Sequence, residues 1–402
     1  FNHNRPAGRK TGGGIITRLV KKLTPLLLLA FVAVAIMPET AIAQENTSAL
    51  TMQQALDMAY KHNPDLRKAQ LELDKAQINR DDAAKAVSYI PTGGLVYPEI
   101  QQGYNLFQQA EIGLKVAKRT AATEKDRLSK DIINAYTTAL KNYNTMETTR
   151  LTLEDLKQQL SVANIAMQTG MMSEYDLTSV QSGIRQAEKG YQASQAQYDA
   201  SLAALAALLG QGSDWKPELT SQAVLTEYQR NDLAIELSRG VEQSSAVWQS
   251  QAQLDIEKSK ETWVMPNISS DMQSINTGTA EMTLEQAKIA TKSAIEQLYY
   301  GIDATEGQIQ AAEAANVQAQ RDLEVTQLKY DVGLTPKYSM PGASGLSSLA
   351  AATLAAQKAQ YNLDSLQASL AGMKAQFAYL TGQTVYDAGD WTPEPQAVAA
   401  NK

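Results

Sequence analysis

Residues 114–169 contain neither glycine nor proline, and this long uninterrupted stretch limits the folds open to the chain. Apolar or small side chains recur there at steps of three, four and seven, for example at Leu128, Ile132 and Ala135. The spacing predicts a helix with a coiled-coil seam, on the order of 84 Å long at the usual helical rise. Such a rod is too long for the interior of a compact domain, so we expect it in the wall of a bundle or tube.

The sequence also repeats itself at long range. Asp-Trp-Lys-Pro-Glu at 214–218 returns as Asp-Trp-Thr-Pro-Glu at 390–394, an offset of 176 residues. An offset of 163 superposes Gly170 on Gly333. Because these offsets are far longer than a solenoid period, the repeating unit is half a domain, and any hole that it lines is built from two similar halves. The duplication predicts a pore or scaffold rather than a catalyst.

We therefore predict a mainly α-helical fold made of long antiparallel helical hairpins and internally duplicated. Helices are expected near 65–88, 114–169 and 170–209, and again near 232–262, 280–332 and 344–381. We predict a signal peptide at 1–43, a connector at 211–231 and a C-terminal tail at 383–402. The first repeat is expected at 44–210, with a short β-hairpin at 88–107 and a turn near 170. The second repeat is expected at 232–382, with a short β-hairpin at 263–283 and a turn near 333–345.

The first 43 residues have the pattern of a targeting segment. Basic residues at 18–22 precede an apolar run at 26–36 and the small-residue pattern Ala41-Ile42-Ala43. The run is roughly a dozen residues long, short of the ~20 that a spanning helix needs. We therefore expect a cleaved signal peptide and export from the cytoplasm, with an uncleaved anchor as the alternative.

Composition argues against several functional classes. The chain carries a formal net charge of −7 and contains no cysteine. An acidic chain without a basic cluster is a poor candidate for nucleic-acid binding, and without thiols it has neither disulfides nor thiolate metal sites. His62 is the one histidine outside the targeting segment. We expect no catalytic residues, no metal site and no cofactor, because no second ligand or catalytic partner accompanies His62.

A series of short motifs follows one another along the first half of the chain. The series includes Asn-Pro-Asp-Leu at 63–66, Ile-Pro at 90–91, Ala-Tyr at 135–136, a glycine-centred turn at Gly170 and Leu-Gly at 209–210. In order and spacing the chain resembles the TolC family of outer-membrane efflux proteins, over about residues 50–383. The motifs are individually common, so the resemblance depends on their order, their spacing and their duplication.

The resemblance implies an architecture, a location and partners. In this family three subunits form an outer-membrane β-barrel that continues as a hollow α-helical tunnel across the periplasm. We therefore expect a homotrimer in the cell outer membrane, projecting into the periplasm and conducting small molecules or polypeptides for efflux or type I secretion. The expected partners are a periplasmic adaptor (membrane fusion protein) and, indirectly, an inner-membrane ABC- or RND-type transporter.

The resemblance also implies roles for particular residues. The two glycine-centred turns correspond to the periplasmic tip, with a gate formed by Gly170, Asp176, Tyr330, Gly333, Thr335 and Lys337. The adaptor would contact Gly170, Met171, Met172, Gly333, Leu334 and Thr335. Trp215 and Trp391 would pack on the tunnel wall near its equator.

The second turn departs from the family pattern. Thr335 stands where the best-known members carry arginine, and Ser339 stands where they carry aspartate. An arginine–aspartate latch is therefore not expected. Lys337 is a candidate replacement, although a lysine cannot form the bidentate fork of arginine.

The two hairpin segments are short for membrane strands. A spanning β-strand takes about 9–11 residues, and residues 88–107 contain two prolines and two adjacent glycines. We predict a small or stunted barrel, or none. A coiled-coil structural or surface protein of the envelope is the alternative function, although a filament has no need of two irregular segments at equivalent places. An adaptor would need more strand-rich sequence, and an enzyme is the least expected class.

Overall fold

The computed structural model describes residues 50–87, 98–212, 214–219, 230–262, 269–339 and 348–386. All described residues belong to one compact unit, Ser48–Lys402. Within these ranges the helices are α1 (Met52–His62), α2 (Pro64–Ala86), α3 (Pro98–Gln168), α4 (Glu174–Leu208), α5 (Leu233–Gln243), α6 (Ser245–Thr262), α7 (Ser270–Asp331) and α8 (Leu349–Leu380). One isolated parallel β-bridge joins Leu50 to Leu219.

Helices α1 to α4 and α5 to α8 repeat one plan. Each set begins with an 11-residue helix. The long helices have 71 residues in α3 and 62 in α7, and the return helices have 35 in α4 and 32 in α8. At the usual rise, α3 is on the order of 105 Å long. The predicted helical fold and its internal duplication are confirmed.

The shorter helices lie end to end beside the long one. Helix α2 packs along the first part of α3, where Arg80 pairs with Glu111 at 3.1 Å, and α4 packs along the rest. Helices α2 and α4 meet where the Asn63 side chain donates a hydrogen bond to the Leu208 carbonyl at 3.0 Å. The same Asn63 side chain caps α2 by accepting from the Asp65 N–H at 2.8 Å, so the Asn-Pro motif both starts one helix and holds the end of another.

The main apolar core surrounds the junction of α1, α3 and α4. Leu56, Leu128, Ile132 and Leu205 are fully buried there, each contributing about 2 kcal/mol through removal from water. The Tyr136 hydroxyl donates to the Leu50 carbonyl at 2.8 Å, which satisfies the buried hydroxyl.

The second half has an equivalent core. Ile295, Ile302 and Phe377 are fully buried between α7 and α8. The Tyr299 hydroxyl donates to the Asn231 carbonyl at 3.4 Å. Tyr299 lies 163 residues after Tyr136, whose hydroxyl donates to the Leu50 carbonyl in the same way. The repeated contact extends the duplication from sequence to packing.

The main contact between the halves runs along α3 and α8 and includes polar and small residues. Asn144 donates to the Ser365 hydroxyl at 3.1 Å, and a Cβ added at Gly372 would lie 3.0 Å from the Asn134 side-chain oxygen. Because α3 also packs on α4 and α8 on α7, the order across this wall is α4, α3, α8, α7.

The predicted hairpin at 88–107 is wrong over its second part, because α3 already begins at Pro98. Proline is suited to the first helical position, where its missing N–H costs nothing, so Pro98 starts a helix rather than ending one. Residues 88–97 lie outside the described residues.

The predicted hairpin at 263–283 is likewise helical from Ser270 onward. Ser269 caps α7 by accepting from the Met272 N–H at 3.2 Å, and Asp271 lies in the first turn. Residues 263–268 lie outside the described residues, so the stunted barrel stays a prediction. Among the described residues, no helix combines the length and apolarity needed to cross a membrane.

The helix predicted over 232–262 is interrupted at Ser244, which separates α5 from α6. The buried Ser244 hydroxyl lies 3.0 Å from that of Thr291, so a side-chain contact fixes the break without glycine or proline. The signal peptide at 1–43 and most of the tail at 383–402, including Trp391, lie outside the described residues.

Candidate functional site: two equivalent helix turns

The turns after α3 and α7 lie at the same end of the described unit. Helix α8 runs antiparallel to both long helices: it meets α3 through Asn144 and Ser365, and α7 through Asn316 and Gln360. The long helices are therefore parallel to each other. Their C-terminal ends, and the turns that follow, share one end.

The first turn is a glycine-ended helix terminus. Gly170 has φ +74°, and the Met171 N–H reaches back to the Ala166 carbonyl at 2.8 Å. The Gly170 N–H donates to the Met167 carbonyl at 3.0 Å, which completes a Schellman motif and satisfies carbonyls that a helix end leaves free.

The second turn repeats this geometry. Gly333 has φ +76°, and the Leu334 N–H donates to the Lys329 carbonyl at 2.8 Å. The Gly333 N–H donates to the Tyr330 carbonyl at 2.9 Å. Both glycines of the predicted gate therefore reverse the chain in a conformation that strains any other residue.

Large apolar side chains project into solvent at both turns. Met171 and Tyr175 are 70% and 82% exposed, and Val332 and Leu334 are 70% and 73% exposed. Apolar side chains grouped in this way commonly mark an interaction surface. Met172 and Thr335, also predicted to contact an adaptor, are half-buried beside them.

The turns differ in how the next helix begins. After the first, Ser173 caps α4: its hydroxyl accepts from the Asp176 N–H at 3.2 Å and donates to the Asp176 carboxylate at 2.7 Å. After the second, the chain folds back beside α8, whose Leu349 and Ala350 N–H groups donate to the Pro336 and Lys337 carbonyls at 3.1 and 3.0 Å.

The returning segment helps to form a groove of about 530 Å³ between α3 and α8. Lys337 lines this groove together with Glu154 and Asp155 of the first half. Asp176 is exposed in the first turn of α4. In this subunit, within the described residues, Lys337 lines the groove and Asp176 bonds to Ser173, so the part of Lys337 in a latch stays a prediction.

Several solved structures share this arrangement. The outer membrane channel CmeC of Campylobacter jejuni aligns with a TM-score of 0.60 at 13% identity, over 88% of this chain and 95% of that one. The chain has the fold of an outer membrane channel. The channel fold appears again in the outer membrane protein VceC from Vibrio cholerae, at TM-score 0.54 and 16% identity over 83% and 97% of the chains. The MtrE channel of Neisseria gonorrhoeae in its open state aligns at TM-score 0.52 and 13% identity, over 83% and 89%.

No protein-family model matches the sequence, and no curated protein matches it. The resemblance seen in the sequence motifs is thus confirmed at the level of fold. Within the described residues of this channel fold, no group of three or more His, Asp or Glu side chains is placed to hold a metal ion.

Trp215 is half-buried against the core of the first half. Tyr175 and Val332 belong to the two turns that the sequence predicted to meet an adaptor, but their exposure depends on the folded turns and was not predicted. The capping role of Ser173 was also not predicted, although a serine three residues before the acidic Asp176 is a recognisable capping signal.

Proposed function

We propose that the chain is one subunit of a trimeric outer-membrane exit duct of the TolC family. The duct is passive and non-enzymatic, projects into the periplasm and conducts small molecules or polypeptides for a tripartite efflux or type I secretion system. The observation that carries the proposal is the duplicated pair of long helical hairpins ending in two equivalent, apolar-tipped turns at one end.

An apolar stripe on α7 supports assembly with further copies. Ile275, Met282, Ile289 and Tyr300 are between 60 and 63% exposed. They are separated by steps of seven and eleven residues, which are close to two and three helical turns, so they share one face. Helix α7 lies at one edge of the wall, where a neighbouring subunit would cover this stripe and continue the wall.

The exposed turns support a partner at the tip. In the proposed duct, Met171 and Leu334 contact a periplasmic adaptor, whose binding separates the turns and opens the entrance. Asp176 narrows the closed entrance by placing one carboxylate from each subunit near the axis. The inner-membrane transporter supplies the energy and chooses the cargo, so the duct itself needs no catalytic residue.

The test is the mass and shape of the purified full chain in detergent, by light scattering and negative-stain imaging. We expect three copies in a hollow rod. The double variant Met282→Lys, Ile289→Lys should release single subunits that keep their helical circular dichroism, because six desolvated ammonium groups would face the neighbouring helices.

Gln308→Lys is the matched control, since Gln308 is an exposed position of the same helix away from the stripe. It should leave the trimer intact. A wild-type monomer or an open-ended filament would overturn the duct and favour the coiled-coil structural protein.

A further inference from the structure

Both outer edges of the helical wall carry exposed apolar side chains at the same spacing. At one edge, the stripe on α7 includes Ile275, Met282 and Ile289, which follow one another at intervals of seven residues. At the opposite edge, Leu71 and Ile78 of α2 are 58% and 61% exposed and are also seven residues apart. Seven residues are close to two helical turns, so each stripe runs along one face of its helix.

Each stripe points away from the helices that its own subunit packs against. An α-helix turns by about 100° per residue, so a residue two positions away lies on roughly the opposite face. Arg80, two residues after Ile78, bonds to α3. Ala280 and Leu284, two residues on either side of Met282, are buried in a core shared with α6. Both stripes therefore lie at the outer edges of the wall, where another wall can join it.

Side-chain contacts across the wall place Ile78 and Met282 at nearly the same level along the helices. Three contacts link α2 to α3, α3 to α6, and α6 to α7. They are the pairs Arg80–Glu111 at 3.1 Å, Gln108–Ser259, and Lys258–Glu281 at 3.1 Å. Counted along the helices from these contacts at 1.5 Å per residue, the levels of Ile78 and Met282 differ by about 5 Å, less than one helical turn.

A second path, across α8 instead of α6, gives the same result for Leu71 and Ile289. Its contacts are Asp65–Arg127 at 3.0 Å, Asn134–Gln376 at 3.5 Å and Lys374–Glu306 at 2.9 Å. By the same count, the levels of Leu71 and Ile289 differ by about 3 Å. Rotation about the axis of a ring leaves every level unchanged, so the two stripes meet in register when copies stand side by side.

Opposite charges continue the two stripes toward the turns. Arg67 lies four residues before Leu71 on α2, and Glu296 lies seven residues after Ile289 on α7. Both are exposed, and their levels differ by less than one helical turn. The charges therefore favour contact between α2 and α7 over contact between two copies of the same edge, which would bring like edges together.

The edges change character nearer the turns. On the described helix α4, no large apolar side chain is exposed after Tyr175. The α7 face that carries Met282 continues there with the small residues Ala304, Gly307 and Ala311. Contact between large apolar side chains is therefore concentrated in the half of the wall away from the turns.

We propose that the α7 stripe of one subunit docks on the α2 stripe of a second copy, with Met282 against Ile78 and Ile289 against Leu71. The two surfaces are different, so the contact repeats around a ring until the last copy meets the first. This inference rests on the proposed duct. The duct requires three copies, whereas the pairing specifies which edges meet and at which level.

The test is disulfide cross-linking of the full chain in detergent. The chain contains no cysteine, so introduced thiols react only with each other. Oxidation of the double variants Ile78→Cys, Met282→Cys and Leu71→Cys, Ile289→Cys should place most chains in covalent dimers and trimers on non-reducing gels. Within one subunit the two thiols lie at opposite edges of the wall, so each disulfide joins two copies.

The matched controls use the same positions out of register. Leu71→Cys with Met282→Cys, and Ile78→Cys with Ile289→Cys, separate the thiols by about two helical turns, roughly 10 Å. Disulfides usually need Cα atoms closer than about 7 Å, so these pairs should cross-link at least tenfold less.

A charge variant tests the same edge without thiol geometry. Ile78→Lys should raise the concentration at which half of the trimers dissociate at least tenfold, because its ammonium group would face the α7 stripe. Asn79→Lys is the control, since Asn79 is exposed but points about 100° away from Ile78. Both variants should keep the helical circular dichroism of wild type.

The outcomes separate the pairing from the duct. If the protein has the mass of three copies but the matched thiols cross-link no better than the controls, the pairing is overturned and the duct stands. The pairing is also overturned if Ile78→Lys trimerises as well as Asn79→Lys. A wild-type monomer would contradict the duct, and the pairing with it.

Discussion

Gly170 and Gly333 end the two equivalent long helices in the same left-handed conformation, at φ +74° and +76°. Nothing lies within 4 Å of a Cβ added at either position. Sterically both sites could hold a side chain, so the requirement for glycine comes from the backbone angle alone. The turns therefore combine a fixed chain reversal with free space around it, which suits a surface that a partner covers.

The first prediction separates backbone angle from space. Gly170→Ala should lower the free energy of unfolding by about 1 kcal/mol, because alanine is strained at positive φ. Gly190→Ala should raise it by about 0.5–1 kcal/mol, since Gly190 lies within helix α4, also with nothing within 4 Å of an added Cβ. Urea unfolding of both variants checks the opposite signs; changes of the same sign would contradict the assigned turn.

The second prediction concerns the close approach of α5 to α7. A Cβ on Gly240 would overlap Cδ1 of the fully buried Ile295 and lie 3.3 Å from the Leu380 carbonyl oxygen. Gly240→Ala should therefore destabilise the protein by about 1–3 kcal/mol through overpacking. Ile295→Val removes the overlapping methyl group. The double variant should therefore lose about 1 kcal/mol less free energy of unfolding than the two single variants lose together.

Ile302→Val is the control for this cycle, because Ile302 is equally buried on α7 but is not among the atoms nearest to Gly240. Its effect should add to that of Gly240→Ala within about 0.5 kcal/mol. Equal coupling for both isoleucines would show that the strain is spread through the core rather than concentrated at one methyl.

The sequence predicted the long helices and both glycine turns because their signals are local. Residues 114–169 lack breakers, and Gly170 and Gly333 each follow a long helical pattern. The starts of α3 and α7 were not predicted, because their residues are typical of loops: α3 begins at a proline and α7 begins in a run of polar residues. The first turns of α7 are held as helix by tertiary contact, because Gln273 and Thr277 form side-chain hydrogen bonds with Glu257 and Glu261 of α6.

The candidate site was predicted less completely than the fold. Its glycines were identified from the duplication, but the exposure of Tyr175 and Val332 depends on which side each turn presents to solvent. The position of Lys337 was also not predictable, because it depends on backbone hydrogen bonds from Leu349 and Ala350 to residues thirteen positions earlier in the chain. Such contacts have no periodic signature in the sequence.

The third prediction tests the gate. Asp176→Asn should raise the resting conductance of the purified protein in planar bilayers, because it removes one carboxylate per subunit from the proposed constriction. Glu174→Gln is the control, an exposed acid in the same first turn of α4. Both changes should cost a similar ~0.3–1 kcal/mol through the helix dipole, so stability cannot explain a difference in conductance. Equal conductance in the two variants would place the constriction elsewhere.

The fourth prediction concerns alkaline pH and a buried tyrosine. Burial raises the pKa of Tyr60 to about 12, although its hydrogen bond with Ser129 acts in the opposite direction. In the unfolded chain the pKa is about 10, so the folded state holds the proton more tightly. This contribution to stability is complete below pH ~10 and is lost as the pH rises to ~12, on the order of 2 kcal/mol in all.

Tyr60→Phe isolates that contribution, because lysine and arginine side chains also titrate in this range. The variant should lose about 1 kcal/mol at pH 7 with the hydrogen bond, and its stability should fall less steeply than wild type between pH ~10 and ~12. Tyr175→Phe is the control, since Tyr175 is 82% exposed and its removal should leave the wild-type slope. Urea unfolding at half-unit pH steps measures both slopes. A Tyr60→Phe slope equal to that of wild type would mean that water reaches the Tyr60 hydroxyl, and that the α1–α3 junction opens before the chain unfolds.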